Sequence, residues 1–379
     1  MKSILFKSIH DVPRHDWESL QQDHSCTQSY EFWKVAEQAR LNDFRYRYVI
    51  FYDELDQPVA ITSLYTITTD VAIFAPNALK RVLTWIRRFS PRFFMLKMLE
   101  CGSPITINKP FIAKSGISHA DIVTALCQLL LDLAQEQGHF LIVVRDFEPD
   151  TQALQPLFER HSYHLVDSLP NTYLDVSWSN PGEYLAGMKS YYRSKLLKHL
   201  RINEKNGIRH EFVDDFGALA EILWRQWLVV HEHASEYQRE VLNPEFYREF
   251  SRELGERSKV ILFYRHDELI AHALLLIDGD VLRWLYVGRT EAANDSLYIY
   301  VAHKVVEFAI HLGMARVEMG LTTYAIKKDL GAYMSPIRLA LRSPSRWINP
   351  FVGFYYPLLN STPKISNKSV FKNASCVDS

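Results

Sequence analysis

Nowhere in these 379 residues do about 18 apolar residues run uninterrupted, so no segment reads as a membrane-spanning helix. Cysteine is scarce and scattered. Cys26, Cys101, Cys127 and Cys376 form no C-x-x-C pair and no zinc spacing, so they read as free thiols of a reducing compartment, and no metal site is expected. Charge of one sign is not in excess either: 43 Lys and Arg stand against 44 Asp and Glu, which argues against a wholesale nucleic-acid binder. Gly-x-Ser-x-Gly, Walker and dinucleotide fingerprints are absent, leaving hydrolase and nucleotide-transfer chemistry without support. The opening residues MKSILFKSIHDVPRHDW hold only a short broken apolar run and do not read as a signal peptide. The expected location is cytoplasmic, with peripheral contact at the inner face of a membrane left open.

What is present is the composition of a folded enzyme, 47% hydrophobic and 23% charged, at a length that predicts two domains. A weak internal repeat supports the division. Arg45 to Asp53 and Val59 to Thr69 read as one hairpin, and Val260 to Arg265 and Leu269 to Asp278 as another. A further strand, Val281 to Gly288, follows the second. Each half then carries a long amphipathic helix, a glycine and a strand: Ser118 to Gln137, Gly138 and Phe140 to Asp146, then Ser296 to Leu312, Gly313 and Arg316 to Met319. Glycine after a helix takes the left-handed conformation that ends it. Leu297, Val301, Val305, Phe308 and Leu312 recur at helical spacing, placing one face of the second helix on a sheet. The domain boundary is expected near Trp178 to Pro181, and the polar tail from Ser361 to Ser379 reads as disordered.

Three segments sharpen this outline. Tyr184 to Gly207 (YLAGMKSYYRSKLLKHLRINEKNG) resembles the basic helix opening the second domain of FemAB-like N-acyltransferases of the GNAT superfamily. Trp284 to Gly313 resembles their strand, loop and central helix, and Glu318 to Ala332 (EMGLTTYAIKKDLGA) their closing Tyr-x-x-Lys…Gly-Ala segment. The resemblance implies an α/β (α+β) chain of two tandem GNAT-like domains, 1–178 and 179–360. Each would hold a mixed, mostly antiparallel sheet flanked by helices, with the active site in the second. It also implies transfer of an acyl group from a thioester, acyl-CoA or acyl-carrier protein, to an amine, with no permanently bound cofactor. Aminoacyl-tRNA-dependent transfer and a non-catalytic binding role are the alternatives. Against tRNA, no long paired-helix arm is evident.

One departure stands out. Arg289 to Ser296 contains no glycine where acetyl-CoA enzymes place a Gly-rich pyrophosphate cradle at the helix start, and Glu291 and Asp295 would repel a pyrophosphate.

Site residues follow from chemistry and resemblance together. Amine acylation needs a proton acceptor, because an alkylamine of pKa near 10.4 is charged at neutral pH; it also needs a stabilised carbonyl oxygen and a protonated leaving group. Glu318, alternating with Val317 and Met319, is a candidate to attract the amine or act as base through a water; the plainer reading is an edge carboxylate facing solvent or pairing with Arg316. Tyr324 and Lys327 share a helix face at i, i+3. Tyr324 is the candidate leaving-group acid and Lys327 the counter-charge, against a packed tyrosine and a solvated lysine.

Arg193 and Lys195, on a helix that also carries Lys189, Lys198, Arg201 and Lys205, are candidates for docking an anionic donor, although such a run also suits a solvated face. Val287, Gly288, Ser296 and Leu297 complete the donor-binding set that the resemblance implies. Tyr192, Glu232 and Glu236 are candidates for the amine pocket. His231-Glu232-His233 lacks the i, i+4 spacing of a helical metal pair.

The first half carries extra chain between Asp70 and Glu100. From Val71 to Leu99 there is no acid, while Lys80, Arg81, Arg87, Arg88, Arg92 and Lys97 interleave with Trp85, Phe89, Phe93 and Phe94. That composition suits anionic lipid or an acidic protein, or simply a lid with basic groups outward. The segment from Arg346 to Tyr356 adds a second aromatic cluster. A homodimer has no support in the chain.

Overall fold

The computed structural model describes residues 1–21, 25–70, 77–90, 93, 95–234, 240–291, 295–359 and 362–372. Its strands are β1 (Lys2–Phe6), β2 (Arg45–Tyr52), β3 (Pro58–Asp70), β4 (Met95–Cys101), β5 (Ile112–Ala113), β6 (Leu141–Phe147), β7 (His164–Asp167), β8 (Asn171–Asp175), β9 (Ile208–Val213), β10 (Ser258–Arg265), β11 (Glu268–Asp278), β12 (Val281–Arg289), β13 (Arg316–Glu318), β14 (Tyr333–Ser335) and β15 (Arg338–Arg342). They form two mixed sheets. One runs β1-β2-β3-β4-β6-β15-β7 with β5 beside β3; the other runs β14-β8-β13-β12-β11-β10-β9.

The two hairpins fall where β-branched and aromatic residues predicted them, as β2–β3 and β10–β11, both antiparallel. In each sheet one central pair is parallel, β4–β6 and β12–β13, joined by the helices His119–Glu136 and Ser296–His311. Ser118 caps the first helix through the Asp121 N–H, and Gly138 and Gly313 follow the two helices at φ 67° and 65°. Leu297, Val301, Val305 and Phe308 are buried against the second sheet; Leu312 caps the helix and is exposed.

The division of the chain differs from a single cut near residue 178. One unit is Met1–Gln22, Asn42–Leu169 and Pro336–Pro363; the other is Asp23–Leu41, Pro170–Ser335 and Lys364–Ser379. β8, next in sequence after β7, pairs with β13, and β15, next after β14, pairs with β6 and β7. Each central parallel pair thus gains an antiparallel neighbour from a segment that sequence order would assign to the other half.

The polar tail also differs from expectation over its described part. Val370 is buried, the Lys372 N–H bonds to the Gly187 carbonyl, and the Phe371 ring packs on Trp178 and over Gly331. A β-carbon on Gly331 would lie 2.4 Å from that ring, so glycine is what admits it. Residues 373–379 lie outside the described residues.

Gly288 is fixed by packing of the same kind. A β-carbon there would sit 2.1 Å from Cε1 of His272 and 2.7 Å from the Trp227 backbone nitrogen. His272 is fully buried between the Tyr247 hydroxyl (3.1 Å to Nε2) and the Gln226 carbonyl oxygen (2.9 Å to Nδ1), and burial pushes its pKa down to about 3. The neutral ring cannot retreat without losing both bonds. Gly288→Ala is therefore expected to cost roughly 1–3 kcal/mol, read as a lowered urea midpoint at unchanged slope.

Candidate active site

The second sheet opens where the sequence placed the chemistry. β12 pairs with β13 through Val281–Arg316, Leu282–Val317 and Arg283–Glu318 only. Beyond Glu318 the chain turns away: the Met319 N–H bonds to Thr172 O, and Gly320 takes φ 83°. β12 meanwhile continues to Arg289. This leaves a notch beside Trp284 to Arg289, at the C-terminal end of a parallel pair.

Glu318 is buried at the floor of the notch and pairs with Arg283, not with Arg316, which reaches Asp175 at 2.7 Å. Arg283 also donates to Asp278 at 2.6 Å. Burial works against its charge, but the two carboxylates more than offset that and hold its pKa above the ordinary arginine value. Asp278 in turn accepts from the Ser25 hydroxyl and the Cys26 and Thr27 N–H groups. Glu318 is thus one end of a buried carboxylate–guanidinium–carboxylate chain.

The closing segment is gripped from β8. The Tyr324 hydroxyl donates to Pro170 O at 2.9 Å, and the Thr172 hydroxyl donates to Gly320 O at 2.5 Å. Thr323, which precedes the helix Tyr324–Asp329, holds the left-handed conformation at φ 59°, ψ 35°. For a β-branched residue that is an outlier costing on the order of 1–3 kcal/mol. It aims the short helix so that Lys327 turns inward.

Lys327 is not the solvated lysine of the plainer reading: it is 3% exposed. Its ammonium has no hydrogen-bond or ion-pair partner among the described residues, and it would lie 3.8 Å from a β-carbon on Gly320. Burial pushes its pKa down to about 7, against the upward pull of the Glu318 charge. Asn171, between the two gripping residues, is fully buried, with an Nδ2 that has no hydrogen-bond partner among the described residues. Sequence reading passed over Asn171 and Arg283, since neither belongs to a local motif.

The remaining candidates distribute unevenly. Ser296 and Leu297 open the central helix, but its first N–H groups are occupied: Asp295 Oδ1 accepts from Leu297 N at 3.0 Å and Tyr298 N at 3.1 Å, while Arg289 donates to the same oxygen at 2.9 Å. The place of a pyrophosphate is filled from within the chain. The Ser296 hydroxyl lies 3.1 Å from His199 Nδ1 and accepts from Asn203 at 3.0 Å. Val287 packs on the core, and the space at Gly288 belongs to His272.

On the basic helix Ser190–Lys205, Leu196 and Leu200 are buried with Tyr192 and Leu197 packed beside them, and Arg193 is half-buried. Lys195 is tied to Asp329 at 2.5 Å, beside Lys368, which fastens this helix to the one carrying Lys327. Glu232 is exposed at the end of the helix Ala220–His233, and Glu236 lies outside the described residues. A cavity of ≈ 610 Å³ in this unit, lined by Asp175, Trp178, Tyr333 and Phe371 among others, is not lined by Glu318, Tyr324 or Lys327. No group of three metal-ligating side chains occurs among the described residues.

Two mixed sheets, each with one central parallel pair joined by a helix, belong to the tandem GNAT type of fold. The solved structure of FemX is similar at a TM-score of 0.54 and 13% identity, covering 89% of this chain and 97% of that one. A tandem GNAT protein from the clavulanic acid biosynthesis pathway is similar at a TM-score of 0.52 and 10% identity, covering 91% and 98%. The profile of the FemAB-like family, described as peptidoglycan biosynthesis/recognition, matches residues 8–323, and the chain belongs to that family. A Mycobacterium tuberculosis protein provisionally named 8-amino-7-oxononanoate synthase 2 is 29% identical over 327 residues; these are 83% of this chain and 42% of that protein. The chain thus spans less than half the length of that relative. No described helix is long and apolar enough to cross a membrane.

Proposed function

We propose that the chain acylates an amine in the notch beside β12, with Lys327 as the proton-transfer group and a carrier-borne ester or thioester as donor. The observation that carries this reading is Lys327 itself: an amine buried beside Gly320, with no hydrogen-bond or ion-pair partner among the described residues, whose pKa burial pushes down to about 7 against the pull of the Glu318 charge. Keeping such a group costs stability, and a neutral amine near pH 7 is the form that can accept a proton.

The amine nitrogen attacks the carbonyl carbon, forming the C–N bond, and its surplus proton passes to neutral Lys327. Collapse of the tetrahedral intermediate breaks the bond to the carrier oxygen or sulfur, and Lys327 ammonium or the Tyr324 hydroxyl returns a proton to the leaving group. The open Nδ2 of Asn171 and the unpaired edge of β12 are donors of the kind a developing oxyanion needs. Glu318, held by Arg283, supplies negative charge near the amine nitrogen as it becomes positive on attack.

Two donor classes remain in play, a thioester (acyl-CoA or acyl-carrier protein) and an aminoacyl ester of tRNA. The Asp295 cap disfavours a CoA pyrophosphate at the usual helix end. A thermal-shift comparison of acyl-CoA, acyl-carrier protein and aminoacyl-tRNA separates them. Stabilisation by either carrier-borne donor and not by acyl-CoA is expected; stabilisation by acyl-CoA alone would reverse the donor assignment.

Tyr324→Phe tests the leaving-group role. Loss of one hydrogen bond to Pro170 O costs only about 0.5–1.5 kcal/mol of stability. Turnover is expected to fall by at least about 10²-fold if the hydroxyl donates the proton. Unchanged turnover would leave that proton to Lys327 alone.

A further inference from the structure

Two sequence-distant aromatic segments start from the same rim of the first sheet, and neither belongs to the notch chemistry. β3 ends at Asp70 opposite Met95, where β4 begins; β6 begins beside β4, with Met98 level with Leu141; β15 ends at Arg342 opposite Ile142. The end of β3, the starts of β4 and β6, and the end of β15 therefore lie along the same rim. From the β3 side rises the helix Asn77–Arg87, tethered to the rim by Arg87, whose guanidinium binds Asp70 at 2.5 and 2.7 Å and Phe93 O at 3.0 Å. From the β15 side comes the helix Asn349–Leu359, tethered by Asn349 to Ser343 and Ser162.

Each helix, with the turn beside it, presents apolar side chains to solvent. Trp85 and Phe89, an i, i+4 pair in edge contact at 5.5 Å, are 62% and 79% exposed. Trp347, Phe351 and Phe354, at i, i+4 and i+7, are 75%, 57% and 67% exposed. Leu83, by contrast, is buried and anchors the first helix to the body.

Side chains of this size are rarely left in water in such numbers on one rim. The charge around them has one sign. Residues 71–99 contain no acid, Arg81, Arg88 and Lys97 are exposed, and the Arg346 guanidinium stacks over Trp347 at 4.9 Å. Exposed aromatics flanked by arginine and lysine match the boundary of an anionic bilayer, where rings sit at the headgroup level and cations meet lipid phosphates. An aqueous polyanion would reward the cations and leave the rings unused.

We infer that this rim is a membrane-docking surface for anionic phospholipid, bringing the transferase to the bilayer without a spanning segment. It goes beyond the acyl-transfer reading and stands or falls apart from it.

The test is co-sedimentation of the full chain with phosphatidylcholine vesicles and with vesicles containing 30% phosphatidylglycerol, at 50 and 500 mM salt. Binding to the anionic vesicles, weakened by salt, is expected. Trp85→Ala with Phe89→Ala, Trp347→Ala with Phe354→Ala, and Arg81→Glu with Arg88→Glu should each lower partitioning by at least about tenfold with unchanged circular dichroism. Because all six side chains are on the surface, the variants should fold. No binding at low salt, equal binding to neutral vesicles, or folded variants that bind as the parent does would each overturn the inference. So would capture by an acidic carrier protein without any vesicle binding.

Discussion

Lys327→Met is expected to lower turnover by a factor of about 10²–10⁴, the range that a positioned proton-transfer group contributes, while leaving the protein at least as stable at neutral pH. The two effects have one cause. In the unfolded chain the lysine holds its proton to about pH 10.4; in the folded chain burial brings that down to about 7. Between those values the unfolded state binds more protons, so the stability of the parent rises with pH from about 7 toward 10. Below about 7 the full cost of keeping the ammonium buried is present. At 1.36 kcal/mol per pKa unit this cost is on the order of a few kcal/mol. A methionine of similar shape removes it. Turnover should be lost, and the pH dependence of the denaturation midpoint over that range should flatten. Catalysis by the parent should rise with pH through about 7 as the neutral amine forms.

The largest stability loss is expected at Arg283. Arg283→Leu leaves Glu318 and Asp278 as buried carboxylates without the cation they share, a change that costs about 3–5 kcal/mol when one partner of a buried ion pair is removed. It should also loosen the segment at Cys26–Gln28, which Asp278 holds through two backbone N–H groups. Chemical denaturation of the parent and the variant at pH 7 measures the loss. A loss below about 1 kcal/mol would mean that the two carboxylates do not depend on Arg283.

Local features of the fold were legible in the residues, and non-local ones were not. β2–β3 and β10–β11 announce themselves through β-branched and aromatic runs, and Gly138 and Gly313 through their position after a helix. The exchange of β8 and β15 between the units leaves no such mark, because strand pairing across more than a hundred residues has no period in the sequence. The same limit applies at Glu318. Arg316 is its neighbour in the chain, but in a sheet the directly opposed cross-strand residue stands closer than the i, i+2 residue, and Arg283 holds that position. The tail failed as a composition argument for a related reason. Two apolar residues, Val370 and Phe371, suffice to seat it once Gly331 leaves room for a ring. Tyr324 and Lys327 were legible as a pair through their spacing, but only the turn at Thr323 decides that the lysine points inward.

The most direct test of a neutral amine at the notch needs no substrate. The ¹³Cε and ¹⁵Nζ signals of Lys327, assigned by their absence in Lys327→Met, can be titrated by NMR from pH 5 to 11. A midpoint near 7 is expected, well separated from the surface lysines. A midpoint above 10 would mean that the amine stays charged at neutral pH and cannot accept the nucleophile's proton, and the catalytic assignment would fail.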